Sequence, residues 1–120
     1  MASSPNEFLS YVLEAMSHRA LVSARKMFGG YGLYRDGLMF ALIVHDELFF
    51  KTDAANAAQF AHAGSHPFTY QTKVRRVEVA YWSAPAECLE SPAEMTDWCQ
   101  LGYAAALRAT AVKSRVRKIK

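Results

Sequence analysis

Three glycines within four residues, Gly29, Gly30 and Gly32, are the feature that most restricts how this chain can fold. Glycine has no Cβ, so it is favoured where the backbone turns sharply or where another segment packs closely against it. A phosphate-binding loop would need a terminal Gly-Lys-Ser/Thr, or a G-x-G-x-x-G pattern that opens a helix. Here the glycines lead into the strand-like Leu33-Tyr34. We therefore predict that they shape a β-sheet, as a bulge or by close packing against an aromatic ring.

The segments around the glycines have the alternation and turn residues of β-structure. Asp36-Gly37 is typical of a two-residue hairpin turn, because both positions tolerate a positive φ. Leu38 to Val44 is apolar on both alternating faces, which predicts a central strand covered on both sides. One strand is predicted from Arg25 to Tyr34 through the glycines. Further strands are predicted at 48–52, 68–73 and 77–82.

Helix signals frame these strands. Ser4-Pro5-Asn6-Glu7 and Ser91-Pro92-Ala93-Glu94 share a helix-start signature, which predicts helices at 5–18 and from about 92 to 111. Asp53 can cap a third helix at 54–63, which Gly64 ends. The resulting order is α-β-β-β-α-β-β-α. It predicts an α+β fold with an antiparallel sheet and helices mainly on one face.

The charge of the chain is concentrated at its C-terminal end. The net charge is +3, but residues 1–112 alone carry nine basic and eleven acidic side chains, a net of −2. We therefore predict a single domain over 1–112 and a basic tail over 113–120. The tail can contact phosphates, remain a solvated extension, or lengthen the last helix through Val116 and Ile119. Its basic residues are Lys113, Arg115, Arg117, Lys118 and Lys120.

The cellular compartment is predicted from three features that the sequence lacks: a disulfide framework, a signal segment and a membrane span. The two cysteines, Cys88 and Cys99, do not form a disulfide framework. The N-terminus has no basic and apolar signal segment, and no apolar run approaches the length of a membrane span. We expect a cytoplasmic protein with no membrane partner.

Catalytic and metal-binding patterns are weak. His62 and His66 have a helical ligand spacing, but Gly64 and Pro67 interrupt that helix and no third ligand is near. Cys99 lies on the apolar side of a helix, as expected of a buried, inert thiol. No spacing indicates a nucleophile–base pair. We predict no enzyme activity, no catalytic residue, no metal site and no cofactor.

Two sets of residues are candidates for contacts with other molecules. The aromatic side chains look too numerous for one small core, which suggests a homodimer or partner surface; that surface would use Tyr34, Phe49, Lys51, Tyr81 and Trp82. Nucleic acid would be contacted by the basic tail, helped by Lys73, Arg75 and Arg76.

The glycine-rich segment also carries a family resemblance. Arg25-Lys26-Met27-Phe28-Gly29-Gly30-Tyr31-Gly32-Leu33-Tyr34 resembles the signature of the N-terminal domain of the TfoX/Sxy family. The stretches 48–53, 67–70 and 80–85 resemble that family in the same order. The resemblance covers about residues 7 to 110 and implies a stand-alone version of the domain.

This resemblance implies a fold like that of type III secretion chaperones, often dimeric, and no catalytic residues. It also implies a bacterial regulator of competence genes that acts with a cyclic-AMP receptor-type activator. We therefore expect a non-enzymatic regulatory or protein-binding module, in transcriptional regulation of competence-type genes. The alternatives are a direct nucleic-acid binder that uses the basic tail, and a small-ligand sensor or enzyme with a site near the glycines.

Overall fold

The computed structural model describes residues 5–16, 21–27 and 29–119, and this part of the chain forms an α+β domain. The helices are α1 (Pro5–Met16), α2 (Ala57–His62) and α3 (Pro92–Ile119), with a 3-10 turn at Ala86–Leu89. The strands are β1 (Ser23–Met27), β2 (Gly30–Arg35), β3 (Leu38–Val44), β4 (Glu47–Lys51), β5 (Pro67–Gln71) and β6 (Arg76–Ser83). They form one antiparallel sheet in the order β1-β2-β3-β4-β6-β5. The predicted fold class and the alternation of helices and strands are confirmed.

The glycine-rich segment differs from the prediction in one respect. It does not form a single strand from Arg25 to Tyr34, because the chain reverses at Gly29, where φ is +79°. The two halves become β1 and β2, which pair antiparallel with Met27 opposite Gly30. The segment thus adds an edge strand to the sheet.

The helices cover one face of the sheet and form the core there. The ring of Phe50 on β4 packs near that of Phe60 on α2. The centroid of the Phe60 ring in turn lies 4.8 Å from that of Trp98 on α3. Phe40 of β3 packs edge-on against Tyr103 of α3. These rings lie within or against a cluster of buried residues that also includes Val12 and Met16 of α1. Burial of such side chains is the main force holding the helices to the sheet.

β3 is a central strand, as predicted, but its two faces are not covered alike. Ala41 and Ile43 are buried beneath the helices, whereas Leu42 and Val44 on the other face are only half-buried. No described helix packs on that second face. The expectation that both faces of β3 are covered is therefore wrong for the described chain.

Two side chains link the turn before α2 to α3 by hydrogen bonds. Asn56, almost fully buried, donates from Nδ2 to the carbonyl oxygens of Leu101 (3.0 Å) and Lys51 (3.3 Å). Arg108 donates to both carboxylate oxygens of Asp53, at 2.6 and 2.9 Å. Asp53 also accepts from the N–H of Ala55, so it caps the turn that leads into α2.

α3 is longer than predicted. Its backbone remains helical past residue 111 to Ile119. One of the alternatives for the basic segment, extension of the last helix, is therefore observed. From Leu107 onward most of the described side chains are exposed. No helix in the described residues is long and apolar enough to cross a membrane.

Candidate functional site

The glycines shape the edge of the sheet by allowing close approach. A Cβ on Gly30 would collide with the backbone carbonyl of Ile43 on β3. A Cβ on Gly32 would lie 2.7 Å from Sδ of Met39 and 3.2 Å from the Tyr34 ring. The predicted backbone role, with close packing against an aromatic ring, is confirmed. Phe28, which also belongs to the glycine-rich segment 25–34, lies outside the described residues.

Opposite the helices, the sheet presents a surface that we call the helix-free face. The cross-strand register and the ring contacts show which side chains lie on this face. Two of them are basic, five are aromatic, two are methionines and two are aliphatic. These are Arg25, Met27, Tyr34, Met39, Leu42, Val44, Phe49, Lys51, Phe68, Tyr70 and Tyr81.

One end of the helix-free face carries two cation–π pairs. The guanidinium carbon of Arg25 lies 5.0 Å from the centroid of the Tyr34 ring, and Nζ of Lys51 lies 5.2 Å from that of Tyr81. Tyr81 is buried, and this burial, with a smaller effect of Tyr34, raises its pKa to about 12. The phenol therefore stays neutral and a hydrogen-bond donor under all ordinary conditions. This end of the face combines positive charge with aromatic surface.

The other end of the face forms an apolar groove with a cavity volume of about 570 Å³. Its lining, which defines the groove, is Met27, Tyr31, Leu42, Ile43, Val44, His45, Phe68 and Tyr70. Met27 belongs to β1 and Tyr70 to β5, which are the two edge strands of the sheet. Because both edges line the same cavity, the sheet must curl and make the helix-free face concave.

The curl has local causes in the strands. The pairing register shifts between Leu33 and Tyr34 on β2, and again between Pro67 and Thr69 on β5. Such irregularities bend a strand and increase its twist. The second shift includes Phe68, whose ring centroid lies 5.0 Å from that of Phe49. Beside the groove, His66 lies 3.3 Å from the Glu47 carboxylate at the strand end.

The predicted partner surface is brought together only in part. Tyr34, Phe49, Lys51 and Tyr81 share the helix-free face, but Phe49 and Tyr81 are buried rather than exposed. Trp82 points to the opposite face and packs against the core. Side chains alternate along β6, so the sequence already predicts that Tyr81 and Trp82 lie on opposite faces. The burial of Phe49 and Tyr81 could be learned only from the structure.

The predicted nucleic-acid contacts fall in two places. Lys73, Arg75 and Arg76 are exposed at the turn between β5 and β6, which Thr72 closes through hydrogen bonds with Arg75. Lys113, Arg115, Arg117 and Lys118 lie on the last turns of α3, where only the backbone is described. Lys120 lies outside the described residues.

Sequence reasoning missed the groove as a unit. Leu42, Val44, Phe68 and Tyr70 were each assigned to strands, but not to a common site. The useful signal was the apolar character of β3 on both faces, which called for a second covering that no described helix supplies. The bulges that bring β1 towards β5 have no comparable signature in the sequence.

The thiols and metal-ligand types give no reactive centre among the described residues. Burial raises the pKa of Cys88 and of Cys99 to about 12, so neither forms a nucleophilic thiolate at neutral pH. No group of three or more His, Cys, Asp or Glu side chains within the described ranges is arranged to hold a metal ion. His62 ends α2, and His66 follows it outside the helix.

Comparison with known proteins adds one match. A family model described as the TfoX N-terminal domain matches residues 14–106. This range includes all six strands and therefore the whole helix-free face. A search of curated proteins finds no match to the chain.

Proposed function

The chain belongs to the TfoX N-terminal domain family, and we propose that it is a non-enzymatic regulatory module that binds another protein on its helix-free face. Membership supports a competence-related regulatory domain, in a family that is generally non-enzymatic. The finer role proposed here is transcriptional regulation through contact with a transcription activator. A homodimer is proposed as the state in which the module works.

The observation that carries this proposal is the pair of cation–π contacts on the helix-free face. Arg25 over Tyr34 and Lys51 over Tyr81 are long basic side chains that lie against aromatic rings. Arginine, tyrosine and methionine are enriched in protein interfaces because they combine apolar area with hydrogen bonding. Side chains that are already ordered lose less entropy when a partner binds.

Two neighbouring residues offer a matched test. Arg25 and Lys26 are adjacent and exposed on β1, and by strand alternation they point to opposite faces. Arg25→Glu and Lys51→Glu should abolish capture of the partner activator from native lysate, whereas Lys26→Glu should retain it. Equal capture by all variants would contradict the proposed surface. A robust turnover activity, lost on mutating one polar cluster, would contradict the non-enzymatic role.

Direct nucleic-acid binding is the second candidate, favoured by three exposed cations, Lys73, Arg75 and Arg76, at one turn. The basic residues at the end of α3 would add to them. Fluorescence anisotropy with duplex DNA should then show affinity that falls steeply between about 50 and 200 mM salt. Deleting 113–120 should weaken it markedly. An unchanged affinity in the deletion variant would rule out a role for the tail.

A further inference from the structure

We infer that the groove on the helix-free face is a binding site for an uncharged small molecule containing aromatic rings. This goes beyond the proposed function, because it concerns a small ligand at the opposite end of the face from the cation–π pairs. The inference rests on the shape of the groove, the chemistry of its lining and the pattern of β3.

The two faces of β3 are covered unequally. Leu42 and Val44 are as apolar as the residues that α3 covers, yet they form the floor of an open groove. Exposed apolar surface that gathers in one concave site, instead of scattering over the molecule, usually marks a binding site. The sequence of β3 therefore suits an occupant that covers its second face.

The groove has the size of a small-molecule site. The volume of about 570 Å³ lies within the roughly 300–1,000 Å³ typical of small-molecule sites. A second copy of the chain is a poorer fit, since standard protein interfaces bury about 800 Å² on each partner. The recessed apolar lining exposes far less than that. A compact ligand that enters the groove matches its dimensions better than a flat protein surface.

The lining of the groove is mostly apolar. None of the eight lining residues is Asp, Glu, Lys or Arg, and only Tyr31, Tyr70 and His45 have oxygen or nitrogen atoms in their side chains. A charged ligand would lose its hydration here without gaining an ionic partner. Phe68 and Tyr70 offer ring faces and edges for an aromatic ligand, and the flexible Met27 can adjust to its outline. The ligand class is therefore neutral and ring-containing.

The test uses two fluorescent probes that differ by one charged group. N-phenyl-1-naphthylamine is neutral, and 8-anilinonaphthalene-1-sulfonate carries a sulfonate on the same ring system. The neutral probe should bind with a saturable, blue-shifted emission at one site per chain, at least about tenfold more tightly than the sulfonate. Equal or tighter binding of the sulfonate would overturn the inference.

Groove variants locate the binding. Val44→Trp fills the floor and should lower the affinity for N-phenyl-1-naphthylamine by at least about tenfold. Leu107→Trp is the control, because Leu107 is an exposed residue of α3, on the opposite side of the sheet from the groove, and this variant should bind like the wild type. Should Val44→Trp fail to fold, Tyr70→Ala alters a half-exposed wall residue and should weaken binding severalfold.

Each outcome decides between the small molecule and other occupants. Wild-type affinity in both groove variants would overturn the inference. Probe binding that appears only when the protein is diluted to monomer would assign the groove to a second copy and also overturn it. Because no protein partner is present, failure here leaves the protein-binding proposal untouched, and loss of partner capture in Arg25→Glu leaves this one untouched.

Discussion

Asn56 and Leu101 are joined by a hydrogen bond of 3.0 Å, from the side-chain Nδ2 of Asn56 to the Leu101 carbonyl oxygen, across 45 positions of sequence. Asn56 is 1% exposed, and the same amide accepts a bond from the N–H of Asp53. A single side chain therefore ties the start of α2 to the middle of α3. Satisfying each of its polar atoms in the core is what makes its burial tolerable.

Asn56→Ala should lower the free energy of unfolding by about 1–3 kcal/mol, because it removes three hydrogen bonds from a buried position. Asn56→Asp should cost more, since a carboxylate would face two carbonyl oxygens. Urea denaturation followed by circular dichroism measures both. Gln59→Ala, at an exposed position on α2, serves as the control and should change stability by less than about 0.5 kcal/mol. Equal effects at 56 and 59 would contradict the role of this contact.

Two adjacent glycines should differ in their response to substitution. Gly30→Ala should destabilise the fold by about 1–3 kcal/mol, because the new methyl group collides with the Ile43 backbone. Gly29 has a positive φ but open space around its Cβ position, so Gly29→Asn should cost less. Thermal unfolding of the two variants compares them directly. A larger loss at Gly29 would show that turn conformation, not close approach, governs this segment.

The Asp53–Arg108 ion pair should contribute to stability only above acidic pH. The two hydrogen bonds from Arg108 hold the pKa of the Asp53 carboxyl below its usual value, against the opposing effect of burial. A lowered folded-state pKa stabilises the fold at pH values above the unfolded pKa of about 3.9, and this is lost as pH falls through the folded value.

Asp53→Asn should therefore be less stable than the wild type from pH 5 to 8, with a difference that shrinks below about pH 4. Both side chains are partly exposed, so the ion-pair contribution should stay below about 1 kcal/mol and weaken in salt. Asp97→Asn, at an exposed position on α3, controls for the change in net charge. A difference that grows on acidification would contradict the assignment.

The thiols should resist modification while the protein is folded. With a pKa of about 12, Cys88 and Cys99 are almost entirely protonated at pH 8, and the thiolate is the reactive form. Ellman's reagent should label neither residue rapidly in the native protein, and both in 6 M guanidinium chloride. Ala58→Cys adds an exposed thiol on α2 as a positive control. Rapid labelling of native wild type would indicate that α3, at Cys99, or the 3-10 turn, at Cys88, opens locally.

Local signals in the sequence were sufficient for most elements. Pro5 and Pro92 each stand at the first position of a helix, and Asp36-Gly37 forms the turn between β2 and β3. These signals work because each depends on a few neighbouring residues and their backbone preferences. The last helix was predicted too short, since its exposed C-terminal part lacks the apolar periodicity that marks a packed face.

The α+β class, the family and the backbone role of the glycines could all be predicted from sequence patterns, because turn, cap and alternation preferences act over a few residues. Three features became visible only in the folded chain: the glycines divide two strands, Phe49 and Tyr81 are buried, and the helix-free face curls into a groove. Met27 and Tyr70 line the same groove although 43 positions separate them. Such an arrangement depends on strand order and on two register shifts, which arise from pairing between distant segments and not from local preference.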